Sequence, residues 1–133
     1  MRVTGWEQAL VRAIERHAAM PFAWGKSDCG YLAFDCIEAV TGADPFADFR
    51  SYTTELGAAR KLRRAGFETV EDLFASVLED TPPTLAQRGD IGVIERGGQL
   101  AGCVFTSFGV AVKSDCGVSY EPITAVTRAF KVR

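Results

Sequence analysis

The sequence predicts an α+β domain in which N-terminal helices pack on a C-terminal antiparallel sheet. Apolar residues recur at helical spacing from about residue 4 to residue 80, and they alternate with polar residues from about residue 88 onward. The pair Pro82-Pro83 separates the two patterns. Because helices come first and strands second, we expect one face of the sheet to lie on the helices and the other to be partly solvated.

Four helices are predicted from apolar spacing, capping residues and breakers. Thr4 and Glu7 have the spacing of a capping box before the first helix. Ser27 or Asp28 is the expected cap of the second helix. The predicted ranges are 5–19, 27–42, 54–65 and 69–78.

The second part of the chain contains five segments with the alternation of β-strands. Gly97-Gly98 and the triplet 115–117 have the composition of tight turns between them. The predicted strands are Ile91–Ile94, Leu100–Phe105, Gly109–Lys113, Val118–Tyr120 and Val126–Val132.

Length and composition exclude several classes of protein. A chain of 133 residues with 47% hydrophobic residues and a net charge of -2 is typical of one globular domain, here residues 1–133, and not of a nucleic-acid-coating protein. No apolar run approaches the roughly 20 residues of a membrane span. Charged residues interrupt the first 20 positions, so synthesis in the cytoplasm is expected.

The cysteines do not have the spacing of a metal site. Cys29, Cys36, Cys103 and Cys116 are far apart, and the chain has one histidine. We therefore expect free thiols, no bound metal and no cofactor.

Cys29 is the candidate reactive residue. It follows the loop Pro21–Lys26 and lies in the first turn of the predicted second helix. Unpaired N–H groups and the helix dipole favour a thiolate at such a position. The alternative is that Cys29 is a packing residue, since it also lies on the apolar stripe of its helix.

The motifs around Cys29 resemble those of the NlpC-type, papain-like cell-wall cysteine peptidases. The aromatic-Trp-Gly loop leads to Asp28-Cys29, and Arg88-Gly89-Asp90 opens a later strand. The chain is still more similar to a phage and prophage family of uncharacterised proteins, with the blocks 21–29, 41–45 and 88–90 in the same order. The resemblance implies an NlpC-type fold with Cys29 at the nucleophile position.

The chain departs from that family at the general base. Alignment from Asp90 through Gly102-Cys103 places Leu100, or Ala101 with a slip of one residue, where the family has histidine. The third, orienting residue would fall near Val112. None of these side chains can accept a proton, and acyl transfer needs an imidazole within reach of the sulfur.

The neighbouring residues allow structural as well as functional readings. Asp28 is expected to cap the helix, and Trp24 either lines the cleft or fills the core. His17 is the one histidine that could replace the missing base, although a role in capping or in the core is the simpler reading. Cys103 could in principle approach Cys29. The basic residues Arg60, Lys61, Arg63 and Arg64 are typical of a solvated helix face or a docking surface.

Two functions follow from the resemblance. The first is a structural or docking component of a phage tail tip or gene-transfer particle, a pseudoenzyme made in the bacterial host cytoplasm, whose partners are tail-hub or tail-tip proteins. The second is an active peptidoglycan endopeptidase or amidase that uses Cys29 to open the cell wall locally. The missing base favours the docking function, and no nucleic-acid partner is expected.

Overall fold

The computed structural model describes residues 1–133 and is α+β, with N-terminal helices and a C-terminal antiparallel sheet of six strands. The class predicted from the sequence is confirmed at this level. The helices are α1 (Trp6–Ala18), α2 (Cys29–Thr41), α3 (Glu55–Arg64) and α4 (Val70–Ala75). The strands are β1 (Glu79–Thr81), β2 (Ile91–Arg96), β3 (Gln99–Thr106), β4 (Gly109–Ser114), β5 (Gly117–Glu121) and β6 (Val126–Lys131).

Side-chain caps begin three of the four helices. Asp28, Thr54 and Thr69 each accept a hydrogen bond from a backbone N–H of the first turn, at α2, α3 and α4 respectively. The capping box predicted at Thr4 and Glu7 is wrong. Gly5 is the N-cap of α1, with a φ of 79° and no side-chain hydrogen bond.

The strands follow the order β1-β6-β2-β3-β4-β5, and every neighbouring pair is antiparallel. The five predicted strands are all present. The short edge strand β1 was missed, because its sequence Glu-Asp-Thr has neither apolar residues nor alternation.

Each face of the sheet carries a buried cluster. The main core lies between the helices and one face, where Leu32, Phe74 and Val104 are among its buried members. The other face carries a second buried cluster, which consists of Ile94, Cys103, Phe105, Val110, Val112, Val126 and Ala129. Arg96 and Gln99, at the β2–β3 end of this face, are exposed, so the second face is partly solvated and has a buried centre. Two residues pack against this cluster: Ala86, which follows the 3-10 helix Pro83–Leu85, and Ala125, the last residue of the 3-10 helix Ile123–Ala125.

Asp90 joins the two ends of the chain to the start of β2. Its fully buried carboxylate accepts hydrogen bonds from Arg2 at 3.0 Å and Arg133 at 2.6 Å. It also accepts from the backbone N–H of Val132 and of Gln87. Since a buried carboxylate must be paired, Asp90 stabilises this corner of the fold.

None of the four helices has the length and apolar character that crossing a membrane requires.

Candidate functional site

The loop before α2 is fixed by its own backbone. Ala23 and Ser27 exchange hydrogen bonds of 3.0 and 2.9 Å, which close a tight turn around Gly25. Gly25 has a φ of 75°, and a Cβ at this position would overlap the carbonyl oxygen of Tyr52. Trp24 contacts Tyr52 edge to face, with the ring centroids 6.5 Å apart. The turn therefore requires glycine and directs Trp24 towards Tyr52.

Asp28 is the N-cap of α2 and the centre of the loop's hydrogen bonds. It is fully buried, and its carboxylate accepts from the N–H of Tyr31 at 2.8 Å and of Gly25 at 2.9 Å. The hydroxyl of Tyr52 donates a third hydrogen bond of 2.9 Å. With these three donors paired to its carboxylate, Asp28 organises the loop and the start of α2.

Cys29 is the first residue of α2 and is partly buried at the wall of a cleft of about 410 Å³. Burial raises the pKa of the Cys29 thiol above its ordinary value, and the charge of Asp28 acts in the same direction. Hydrogen bonds from the backbone at Gly102 and Gly30 oppose this increase and do not outweigh it. Burial therefore opposes the stabilisation of a thiolate that the helix terminus would otherwise give.

The cleft lies between the helices and the hairpin that joins β2 to β3. Its walls come from the loop before α2 and the first turns of α2, the irregular segment between α2 and α3, α3 itself, the beginning of α4 and the start of β3. The lining residues are Trp24, Asp28, Cys29, Gly30, Phe34, Phe49, Tyr52, Glu55, Ala58, Ala59, Leu62, Glu68, Thr69, Val70, Leu73, Gly98, Gln99 and Leu100. Most of the lining residues are apolar. Apart from the thiol of Cys29 and the phenol of Tyr52, the ionisable side chains are the carboxyl groups of Asp28, Glu55 and Glu68.

Leu100 lines this cleft together with Cys29. Two residues further along β3, Gly102 lies against the start of α2, where a Cβ would be 3.2 Å from the carbonyl oxygen of Cys29. The strand position expected to carry the base therefore faces the cleft, and a leucine occupies it. No imidazole lines the cleft.

His17 is held in a separate buried network. Its Nε2 donates to the carboxylate of Asp35 at 2.6 Å, and its Nδ1 lies 2.7 Å from the hydroxyl oxygen of Ser27. Arg50 continues the network by pairing with both Asp35 and Asp44. His17 is fully buried with both ring nitrogens engaged, and it does not line the cleft. Its position in this network is that of a core residue.

The other cysteines do not approach Cys29. Cys103 belongs to the second core, on the sheet face opposite the helices, and burial raises its pKa to about 12. Cys36 is fully buried in the main core, and Cys116 is exposed in the turn between β4 and β5. All four are free thiols. No group of three or more histidine, cysteine or acidic side chains is arranged to hold a metal ion.

Val112, near which the third, orienting residue was predicted, does not face the cleft. Val112 is in the second core, so it lies on the far face of the sheet. Its neighbour Lys113 is on the helix side, where its ammonium donates to the carbonyl oxygens of His17 at 2.7 Å and Met20 at 2.6 Å. Lys113 therefore secures the end of α1 and does not orient a base.

Sequence reasoning did not identify the part of the cleft formed by Phe49, Tyr52 and α3. Phe49 and Tyr52 come from an irregular stretch, where no periodicity indicates which side chains point inward. Amphipathic spacing in α3 would have indicated a common face for Ala58, Ala59 and Leu62, but not what that face contacts.

Comparison with known proteins gives a family and no described function. No curated protein and no solved structure matches the chain. A family model described as a domain of unknown function, DUF6950, matches residues 1–132. The chain therefore belongs to the DUF6950 family.

Proposed function

We propose that this protein is a docking domain with a degenerate NlpC-type, papain-like fold, and that its cleft binds a partner without cleaving it. The observation that carries the proposal is that Leu100 faces the same cleft as Cys29. A nucleophilic thiol needs a neighbouring base that takes its proton and later protonates the leaving group. Leucine can do neither.

The electrostatics of the thiol support the same conclusion. The pKa of Cys29 is raised by burial, whereas a catalytic cysteine has a lowered pKa. Asp28, the closest carboxylate in sequence, already accepts three hydrogen bonds. Glu55 and Glu68 line the cleft, but both are exposed. An ion pair with a thiolate requires a cation, which a glutamate cannot supply.

The order of elements supports the proposed fold relationship. A cysteine begins α2, a buried aspartate precedes β2, and the position that should carry a base is on the next strand, β3. The same order characterises the NlpC-type peptidases that the sequence resembles. From that resemblance we also propose that the protein is a component of a phage tail tip or of a gene-transfer particle. Its partners would then be tail-hub or tail-tip proteins.

The absence of cleavage is tested with purified peptidoglycan. The wild-type protein and Cys29→Ala are incubated with sacculi, and soluble fragments are identified by mass spectrometry. We expect the same background release from both proteins. Fragments released by the wild type and not by Cys29→Ala would overturn the proposal and establish the peptidoglycan hydrolase instead.

The proposed location has its own test. Antibodies against this chain are applied to intact particles purified from a producing strain, and gold labelling is examined by electron microscopy. Labelling at the tail tip is the expected result. Protein that remains entirely in the particle-free fraction would contradict a place in the tail.

A further inference from the structure

We propose that the cleft beside Cys29 accepts a peptide segment of a partner protein that combines apolar side chains with lysine or arginine. This inference rests on the proposed docking function and specifies what docks. It follows from the volume of the cleft, from its apolar walls and from the sign of its charges.

The size and the walls of the cleft suit several side chains of a peptide. A volume of about 410 Å³ lies within the roughly 300–1,000 Å³ of ligand pockets. The aromatic rings of Trp24, Phe49 and Tyr52 form part of the lining, and aromatic residues are enriched in protein interfaces. Leu62 and Leu100 add aliphatic surface. An apolar side chain placed here would lose its contact with water.

All charges that line the cleft are negative. They belong to Asp28, Glu55 and Glu68, and no lysine, arginine or histidine side chain is among the lining residues. Asp28 is saturated by the hydrogen bonds of the loop. Glu55 and Glu68 are exposed and form no ion pair within the protein. Their charges are free to attract a cationic group on an occupant.

The basic residues of α3 do not neutralise this surface. Ala58, Ala59 and Leu62 of α3 line the cleft, whereas Arg60, Lys61, Arg63 and Arg64 do not. The ammonium of Lys61 is held by the carbonyl oxygen of Asp48 at 2.9 Å. The helix thus separates an apolar and acidic cleft side from a basic outer side. An acidic peptide would meet repulsion in the cleft, and a purely apolar one would leave the two glutamates without a partner.

The test uses a display library of random 12-residue peptides selected on the immobilised wild-type protein. Affinities of the enriched peptides are then measured by fluorescence polarisation. Three variants are compared: Glu55→Gln/Glu68→Gln removes the rim charges, Glu15→Gln/Glu38→Gln makes the same change at exposed glutamates outside the cleft, and Ala58→Trp fills the cleft. Circular dichroism and a urea titration establish that each variant is folded.

We expect enriched peptides that carry lysine or arginine beside apolar residues. Their affinity should fall roughly tenfold in Glu55→Gln/Glu68→Gln, should not change in Glu15→Gln/Glu38→Gln, and should be lost in Ala58→Trp. Higher salt should weaken binding to the wild type more than to the variant without rim charges.

Two results would overturn the inference in distinguishable ways. Peptides that require an open cleft but have no cationic preference would contradict the charge rule and leave the docking function intact. If no enriched peptide is sensitive to Ala58→Trp, the cleft is not a peptide site. A failure of the docking function itself would be detected in the separate peptidoglycan assay, as a release of fragments that depends on Cys29.

Discussion

The hydroxyl of Tyr52 donates a 2.9 Å hydrogen bond to Asp28, the residue that caps α2 immediately before Cys29. Burial raises the pKa of Tyr52, so its hydroxyl stays protonated and remains a donor. This bond connects the irregular segment before α3 to the start of α2. The shape of the cleft therefore depends on this hydrogen bond.

We expect Tyr52→Phe to lower the free energy of unfolding by about 1 kcal/mol, since Asp28 keeps two backbone donors. Asp28→Ala should cost about 3 kcal/mol, because it removes the helix cap and leaves three donors unpaired. Urea titration of both variants measures the difference. Equal losses would show that Asp28 acts only through Tyr52.

Gly25→Ala should destabilise the protein far more than Gly5→Ala. Both glycines have a φ near 75–79°, so both substitutions carry the strain of a left-handed alanine, about 1 kcal/mol. Only at Gly25 does the added Cβ overlap a backbone atom, the carbonyl oxygen of Tyr52. We expect a total loss of about 3 kcal/mol at Gly25. Similar midpoints of thermal unfolding for the two variants would argue against this close approach.

The pair of His17 and Asp35 predicts how stability changes in acid. Burial raises the pKa of Asp35, but hydrogen bonds from His17 and Arg50 outweigh it and hold the pKa below the ordinary value. The stabilisation is therefore complete above the unfolded pKa of about 3.9 and is lost as the pH falls through the lower, folded value.

Asp35→Asn is the variant that removes the carboxylate charge of this pair. At pH 6 it should be about 1–2 kcal/mol less stable than the wild type, a modest loss because Asp35 is partly exposed to solvent. Urea titrations from pH 6 to pH 2.5 should show the difference shrinking below about pH 4. A difference that stays constant over this range would mean that the charge of Asp35 contributes nothing.

Leu100→His tests whether β3 presents the base position to Cys29. An imidazole at this point should stabilise the thiolate and increase alkylation of Cys29 at pH 7 by roughly tenfold, which corresponds to one pKa unit. Leu100→Gln is the matched control, because it adds a polar side chain that cannot act as a base. Equal rates in the two variants would show that residue 100 does not reach the sulfur.

The sequence was a good guide wherever periodicity or a cap carried the information. Asp28 at the start of α2, the glycine turn 97–98 and the five longer strands follow from local patterns. The cluster of Ile94, Cys103 and Val112 on the second face was not anticipated, since alternation alone does not distinguish a solvated face from one covered by neighbouring loops.

The candidate site could be predicted only in part. Leu100 was identified from the resemblance to the NlpC-type peptidases, whose motif sets the base position relative to Asp90, and it lines the cleft together with Cys29. The network of His17 with Ser27 and Asp35 joins residues from α1, a loop and α2, and no sequence pattern links them. Val112 lies on the far face of the sheet, and the direction of its side chain could not be predicted, because a slip of one residue in a strand reverses it.

The most direct measurement of the central claim is the rate at which iodoacetamide modifies Cys29 between pH 5 and pH 9.5. Mass spectrometry quantifies each cysteine separately, and the exposed Cys116 in the same sample reports the activity of the reagent. We expect slow modification of folded Cys29, with a midpoint above the reference thiol value of about 8.5, and rapid modification after unfolding in urea. Rapid modification of the folded protein with a midpoint well below that value would show an activated thiolate and would contradict the assignment of the cleft as a binding site without catalysis.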